Sequence, residues 1–173
     1  MLTLRPATVD DVPMILALIR ELADYEKLLH EVEATEPALQ AALFGASPRV
    51  FADVAQWNDG RSEAVVGFAL WFYTFSTFRG RHGIHLEDLF VRPNHRDRGI
   101  GQALLVNLAK RCLRENLGRL EWSVLDWNAP AIAFYKKLGA ISHSEWVLQR
   151  VTGEALAQLG ARDIPALRSR PPQ

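Results

Sequence analysis

Apolar positions along the chain fall into two rhythms. Runs with strand character recur at 2–6, 49–56, 63–75, 84–92, 119–125 and 142–151. Between them, segments at 9–28, 35–44, 99–116 and 129–138 place apolar side chains three and four residues apart, the spacing of a half-buried helix. Asp10, Asp11 and Pro13 open the first helix, and Thr35 with Pro37 opens the second. The third carries Leu104, Leu105, Leu108, Ala109, Cys112 and Leu113 on one face. Asn128 stands as an N-cap before Pro130 in the fourth, which runs through Ala131, Ile132, Phe134, Tyr135 and Leu138 until Gly139 stops it. Trp57-Asn58-Asp59-Gly60 and the stretch from Ser76 to Gly83 read as hairpin connections. Thr152 to Leu159 adds one or two helical turns. The tail from Ala161, with three Arg and three Pro, is expected to be loose. The pattern predicts one mixed-sheet α/β domain over residues 1–160, followed by that tail.

Most of the chemistry is concentrated between Leu86 and Gln102. Leu86, Leu89, Phe90 and Val91 make a buried strand, Arg92-Pro93-Asn94 a turn, and Gly99 and Gly101 lie where the third helix begins. Glycines leave the backbone open where a helix exposes its first unpaired N–H groups. With Arg96 and Arg98 beside them, those donors form a seat for a pyrophosphate. A P-loop would need Lys-Ser/Thr after the glycine, and Gly101 is followed by Gln102-Ala103. A dinucleotide fingerprint would need Gly or Ala at position 104, which is Leu104.

The arrangement Arg96-x-x-Gly99-x-Gly101 resembles the acyl-CoA-binding motif of the Gcn5-related N-acetyltransferases (GNAT). A second block, Trp127-Asn128-x-Pro130-Ala131-x-x-Phe134-Tyr135-x-x-x-Gly139-Ala140, is similar to the other CoA-facing block of that superfamily. Four further segments resemble its diamine (spermidine/spermine) and thialysine N-acetyltransferase branch: Arg5-Pro6-Ala7-Thr8-x-x-Asp11, Glu21 to Glu26, Leu86-Glu87-Asp88 and Leu125-Asp126-Trp127-Asn128. The likeness covers roughly residues 2 to 160 and is poorest at 45–62, 76–85 and 141–150.

The resemblance implies an α/β GNAT fold. Its central sheet is twisted, mixed and mostly antiparallel, is flanked by helices, and has a splayed central strand pair that holds acetyl-CoA. It implies a β-bulge on strand 84–92, with backbone groups of Leu89, Phe90 and Val91 pairing with the pantetheine and a Phe90 or Val91 N–H polarising the thioester. The loop Arg96, Asp97, Arg98, Gly99, Ile100, Gly101 and Gln102 would take the pyrophosphate. Asn128 and Ala131 would meet the pantetheine arm, and Tyr135 would protonate the departing thiolate. Tyr25, Glu26, Glu87 and Asp88 match substrate-side positions. A homodimer with sites near the subunit interface is also implied.

Composition narrows the partners. The chain has 173 residues, is 49% hydrophobic and 23% charged, and has zero net charge, which argues against nucleic acid as the main partner. No apolar run reaches membrane-span length and no signal peptide is evident, so no membrane partner and a cytoplasmic location are expected. The single cysteine, Cys112, lies on the apolar face of a helix and reads as core. Five histidines lack ligand spacing, so no metal is expected.

Direct acetyl transfer requires a neutral amine, whereas an aliphatic ammonium has a pKa of about 10.4. A carboxylate that accepts its proton is therefore valuable. Glu87 is the candidate base, with Asp88 its neighbour; adjacent strand residues face opposite sides unless the strand is distorted. No Ser, Cys or His in these blocks has the pairing that an acyl-enzyme route requires. The carboxylates suit a small cationic amine: a polyamine, thialysine or a related amino acid. Arg79 and Arg81 would oppose a long cation or welcome a carboxylate. The competing expectations are acetylation of a protein or peptide amine, and a non-catalytic acetyl-CoA sensor.

Overall fold

The computed structural model describes residues 1–162, in two compact units: Met1–Leu125 and the segment from Asp126 onward. The first unit is built on five strands, β1 (Leu2–Pro6), β2 (Phe51–Asn58), β3 (Glu63–Ser76), β4 (Arg81–Val91) and β5 (Leu120–Trp122), adjacent in that order. Neighbours from β1 to β4 are antiparallel, and β4–β5 is parallel. A parallel pair needs a crossover, which α3 (Ile100–Arg114) supplies. The remaining helices of this unit are α1 (Val12–Tyr25) and α2 (Glu36–Phe44).

Period-two alternation sends the two sets of strand side chains to opposite faces. On one face Ala52, Val54, Phe68, Leu70 and Phe90 pack against Ile15 and Leu18 of α1 and Leu43 of α2. Fully burying a side chain such as Leu18 or Phe68 stabilises by about 1.5–3 kcal/mol. On the other face, α3 buries Leu104, Leu105, Leu108 and Cys112, so the cysteine is a core residue. There Asp53 accepts a hydrogen bond from Trp71 Nε1 (2.8 Å), and the Arg111 guanidinium lies 4.8 Å above the same indole. Burial pushes the Asp53 carboxyl up, against the bond from Trp71 and the charge of Arg111.

Several elements differ in extent from their sequence expectation. The first helix spans Val12–Tyr25, preceded by one 3₁₀ turn at Val9–Asp11, because Lys27 enters the left-handed region (φ 62°) and Leu28 N–H turns back to the Ala23 carbonyl. Trp57 and Asn58 remain in β2, and the turn falls one step later, where Asp59 Oδ1 accepts from the N–H groups of Arg61 and Ser62. β5 keeps three residues of the expected seven-residue strand.

The second unit contains α4 (Ala129–Lys137) and α5 (Gly153–Gly160). The strand expected at 142–151 is not formed: those residues are irregular, with a turn at 144–145. This unit supplies no ladder partner, and Ile141, Trp146, Val147 and Leu148 stand 75–82% exposed instead of alternating between two faces. The expected loose tail lies, beyond Arg162, outside the described residues. No helix among the described residues is long and apolar enough to cross a membrane.

Candidate active site

A single extra residue in β4 organises the carboxylates. Leu86 pairs with Trp71 and Asp88 pairs with Leu70, so Glu87 has no partner of its own on β3. Trp71 packs under Arg111 of α3, whereas Leu70 belongs to the core under α1. Leu86 therefore faces α3, and Asp88, like Phe90 two residues on, faces α1. Glu87, the inserted residue, follows Leu86 and also turns toward α1. Two adjacent carboxylates thus share one face, which a regular strand would forbid. Two residues earlier, His85 pairs with Phe72 and takes the same face.

The bulge also marks where β4 leaves β5. The parallel ladder holds only Ile84, His85 and Leu86 against Leu120, Glu121 and Trp122. From Glu87 to Val91 that edge of β4 has no strand partner among the described residues, which is the splay implied by the resemblance. It leaves backbone groups of the Leu89, Phe90 and Val91 segment available to an extended ligand arm.

Electrostatics single out Asp88. Its carboxyl is pushed up to about 6, first by burial and then by the charges of Glu87 and Glu26. Burial also pushes Glu26 up, at the C-terminal end of α1. Glu87 is more open, with 56% of its side chain exposed and its Oε2 3.7 Å from His85 Nε2. Two contacts fix α1 against β4. Glu21 accepts from Arg92 at both carboxylate oxygens (2.7–3.1 Å). The Arg96 guanidinium lies 5.0 Å from the Tyr25 ring and 5.6 Å from the Phe90 ring.

Arg96 Nε donates to the Val91 carbonyl (3.0 Å), so the side chain ties the loop to β4 and, through the ring contact, to Tyr25 at the end of α1. Arg98 reaches Asn94 O (3.4 Å) and lies over the Trp57 ring at 5.2 Å. The cradle backbone is distinctive. Asp97 (φ 60°) and Gly99 (φ 76°) are both left-handed, and Gly99 serves as N-cap of α3. A Cβ at Gly99 would meet nothing within 4 Å, so the space before the helix is open. Ile100, Gly101 and Gln102 form the first turn, whose N–H groups have no acceptor within the helix, and no acidic residue lies among them. These features fit an anionic pyrophosphate.

In the second unit, Asn128 caps α4 through Oδ1, which accepts from Ala131 N–H (3.3 Å), and it is 8% exposed. Tyr135 lies further along α4, its ring 5.3 Å from Phe134. On the β3–β4 hairpin, Arg79 reaches the Gly118 carbonyl (3.5 Å) and Arg81 reaches Asn116 Oδ1 (3.4 Å). Both arginines therefore contact the connection between α3 and β5. His85 was missed as a site residue: position i−2 from Glu87 carries no motif, and although strand alternation puts the two on one face, only the structure shows the 3.7 Å approach of their side chains.

A splayed parallel strand pair, followed by a left-handed glycine that opens a helix onto an acid-free first turn, defines the architecture of an acyl-CoA-dependent N-acyltransferase. Residues 16–140 match the acetyltransferase (GNAT) family, and the chain belongs to it. It is 39% identical over 166 residues to a thialysine N-epsilon-acetyltransferase of Bos taurus, covering 92% of this chain and 97% of the relative. It is 32% identical over 202 residues to an L-ornithine N5-acetyltransferase of Arabidopsis thaliana, covering 93% and 89%. An integron cassette protein from the mobile metagenome of V. cholerae has a similar structure, with TM-score 0.76, 26% identity, and coverage of 93% and 98%. The protein is thus an N-acetyltransferase, of a family that uses acetyl-CoA as cosubstrate.

Proposed function

We propose that this enzyme acetylates the terminal amine of a small molecule that carries a second charge, in the class of thialysine, ornithine, lysine or a short polyamine. The observation that carries this reading is the gathering of Glu26, Glu87 and Asp88, with the Asp88 carboxyl held near 6 by burial and by its two acidic neighbours. A bound ammonium offsets that repulsion and draws the site back to its ionised form. The names of the two relatives, which act on thialysine and on ornithine, point to an amino-acid amine more than to a polyamine.

Acetyl-CoA supplies the activated acetyl group as a thioester. The protein's own part is to orient and to move protons. The loop from Arg96 to Gln102 seats the pyrophosphate, and the open edge of β4 at Leu89, Phe90 and Val91 receives the pantetheine; Asn128 and Ala131 are assigned to that arm by the family resemblance alone. An N–H of Phe90 or Val91 steadies charge on the thioester oxygen. Tyr25, Glu26 and Asp88 hold the amine, and Glu87 accepts its proton so that nitrogen attacks the carbonyl directly. Tyr135 returns a proton to sulfur. The reading includes a homodimer in a cytoplasmic setting; the exposed Ile141, Trp146, Val147 and Leu148 support a further apolar contact.

The test is CoA release from acetyl-CoA with spermidine, spermine, putrescine, thialysine, lysine, ornithine and a lysine peptide. Saturable turnover with an amino-acid amine is expected. Preference for the peptide would move the substrate to a protein amine. Tight acetyl-CoA binding without turnover would make the chain a sensor.

A further inference from the structure

We infer that His85 is the onward proton acceptor for Glu87, so that the amine's proton leaves the site through a carboxylate–imidazole relay built across the β4 bulge. The inference rests on the amine-acetylation reading and deepens it. A carboxylate that takes a proton from an ammonium must lose it again before the next turnover. Glu87 Oε2 stands 3.7 Å from His85 Nε2, within a small side-chain rotation of a hydrogen bond. Strand alternation puts His85 and Glu87, two residues apart, on the α1 face while Leu86 between them turns to α3, and the extra residue brings Asp88 to that face as well.

The surroundings of the imidazole suit a relay. Its ring is stacked on Phe72, with centroids 5.0 Å apart and planes inclined at 29°, which fixes its orientation. Its side chain is 25% exposed, so a proton can pass from it to water. Charged groups on this side of the sheet come from three elements. On β4 these are Glu87 and Asp88, and at the end of α1 there is Glu26. On β5 the register partner Glu121 is engaged by Arg119 Nε (3.0 Å) and Thr74 Oγ1 (3.3 Å). Glu121 is thereby occupied, and Glu87 is the carboxylate that lies 3.7 Å from the ring.

The steps balance. The substrate N–H bond breaks, its electron pair stays on nitrogen, and the proton moves to Glu87. It then passes to His85 Nε2 in the tautomer that carries hydrogen on Nδ1. The resulting imidazolium releases one proton to solvent, the proton that net acetylation of an ammonium must liberate; the second nitrogen proton, lost as the tetrahedral adduct collapses, replaces the one given to sulfur. Imidazole is suited to this task because one ring nitrogen can accept a proton while the other gives one up.

The test uses His85→Gln and His85→Phe in the full chain, assayed with the best amine of the panel across pH and across concentrations of added imidazole. Loss of the relay lowers kcat by about tenfold or more while the KM for the amine holds, less than the roughly 10²–10⁴-fold of a group that acts directly on the substrate, because His85 acts through Glu87. Added imidazole then raises kcat of the variants in proportion to its concentration, whereas the parent is insensitive. His85→Phe retains a ring on Phe72, so a matching loss there separates proton transfer from packing. Parent-like kcat in either variant, or a change in KM alone with no response to imidazole, overturns the relay. A parent enzyme that acetylates no amine of the panel overturns the small-amine reading, and the relay with it; a parent that turns over while both variants match it sinks the relay alone.

Discussion

Replacing Asp88 by Asn should make the protein more stable and less active. The folded chain holds the Asp88 proton more tightly than the unfolded chain does, with its carboxyl raised from 3.8 to about 6. The sign follows from linkage: a raised acid pKa contributes stability that is complete below the unfolded value and is lost as pH rises through the folded one. A shift of about 2 units at 1.36 kcal/mol each corresponds to about 3 kcal/mol of lost stability at pH 8, and about 0.5 kcal/mol at pH 4. Asn has nearly the same shape and no charge, so it removes the penalty. The advantage of Asp88→Asn should therefore grow from near zero at pH 4 toward 1–3 kcal/mol, or roughly 2–10 °C in Tm, at pH 8. Urea unfolding of both proteins from pH 4 to 8 measures it. An advantage that is flat with pH, or a variant less stable than its parent at pH 8, would refute the placement of Asp88 against Glu87 and Glu26. The same variant should lose amine affinity, since the repulsion removed is what a cationic substrate relieves.

Three further outcomes are expected. Gly99→Glu should weaken acetyl-CoA binding by tenfold or more, because it puts a side chain at φ 76° and a negative charge before the α3 N-terminus; calorimetry showing parent-like affinity would remove the cradle. Tyr135→Phe should lower kcat while leaving acetyl-CoA affinity intact, and equal turnover would strip Tyr135 of the acid role. The Asp11 carboxyl is held at about 2, first by the hydrogen bond from Arg5 and against its burial. Its contribution, about 2 kcal/mol at neutral pH, should be lost only as pH falls from about 4 through 2; an Asp11→Asn variant whose deficit persists unchanged at pH 2 contradicts the ion pair.

The parts of the fold legible in the sequence were those with local causes. Thr35, Pro13, Asn128 and Gly139 mark helix ends through capping and fixed backbone angles, and the observed ends fall within a few residues of them. The glycine loop was legible because Gly99 supplies a left-handed angle just before an apolar period of 3.6. The strand expected at 142–151 failed because alternation reports only that a segment could face two ways. A strand also needs a partner, and Ile141 to Arg150 has none in its unit. The resemblance implied a bulge on this strand, but that Asp88 joins His85 and Glu87 on one face was hidden for a related reason: a bulge is placed by pairing with β3, and nothing in Leu86-Glu87-Asp88 itself shows which residue will go unpaired.

The bulge and the splay coincide at Glu87, and one perturbation tests whether they have a common cause. Deleting Glu87 leaves Leu86 opposite Trp71 and Asp88 opposite Leu70, so the β3–β4 ladder becomes regular without shifting its neighbours. Bulges increase local twist and bend the strand that holds them. Without the extra residue, β4 should follow β5 further, closing the edge that would receive the pantetheine. Glu87→Gln, by contrast, keeps the bulge and removes only the charge. The deletion should therefore lower both acetyl-CoA affinity and kcat, and Glu87→Gln should lower kcat alone, with the fold of each verified by its melting transition. If the folded deletion variant binds acetyl-CoA as the parent does, then the splay is set elsewhere, by the three-residue length of β5. The bulge would in that case serve only to bring the carboxylates to one face.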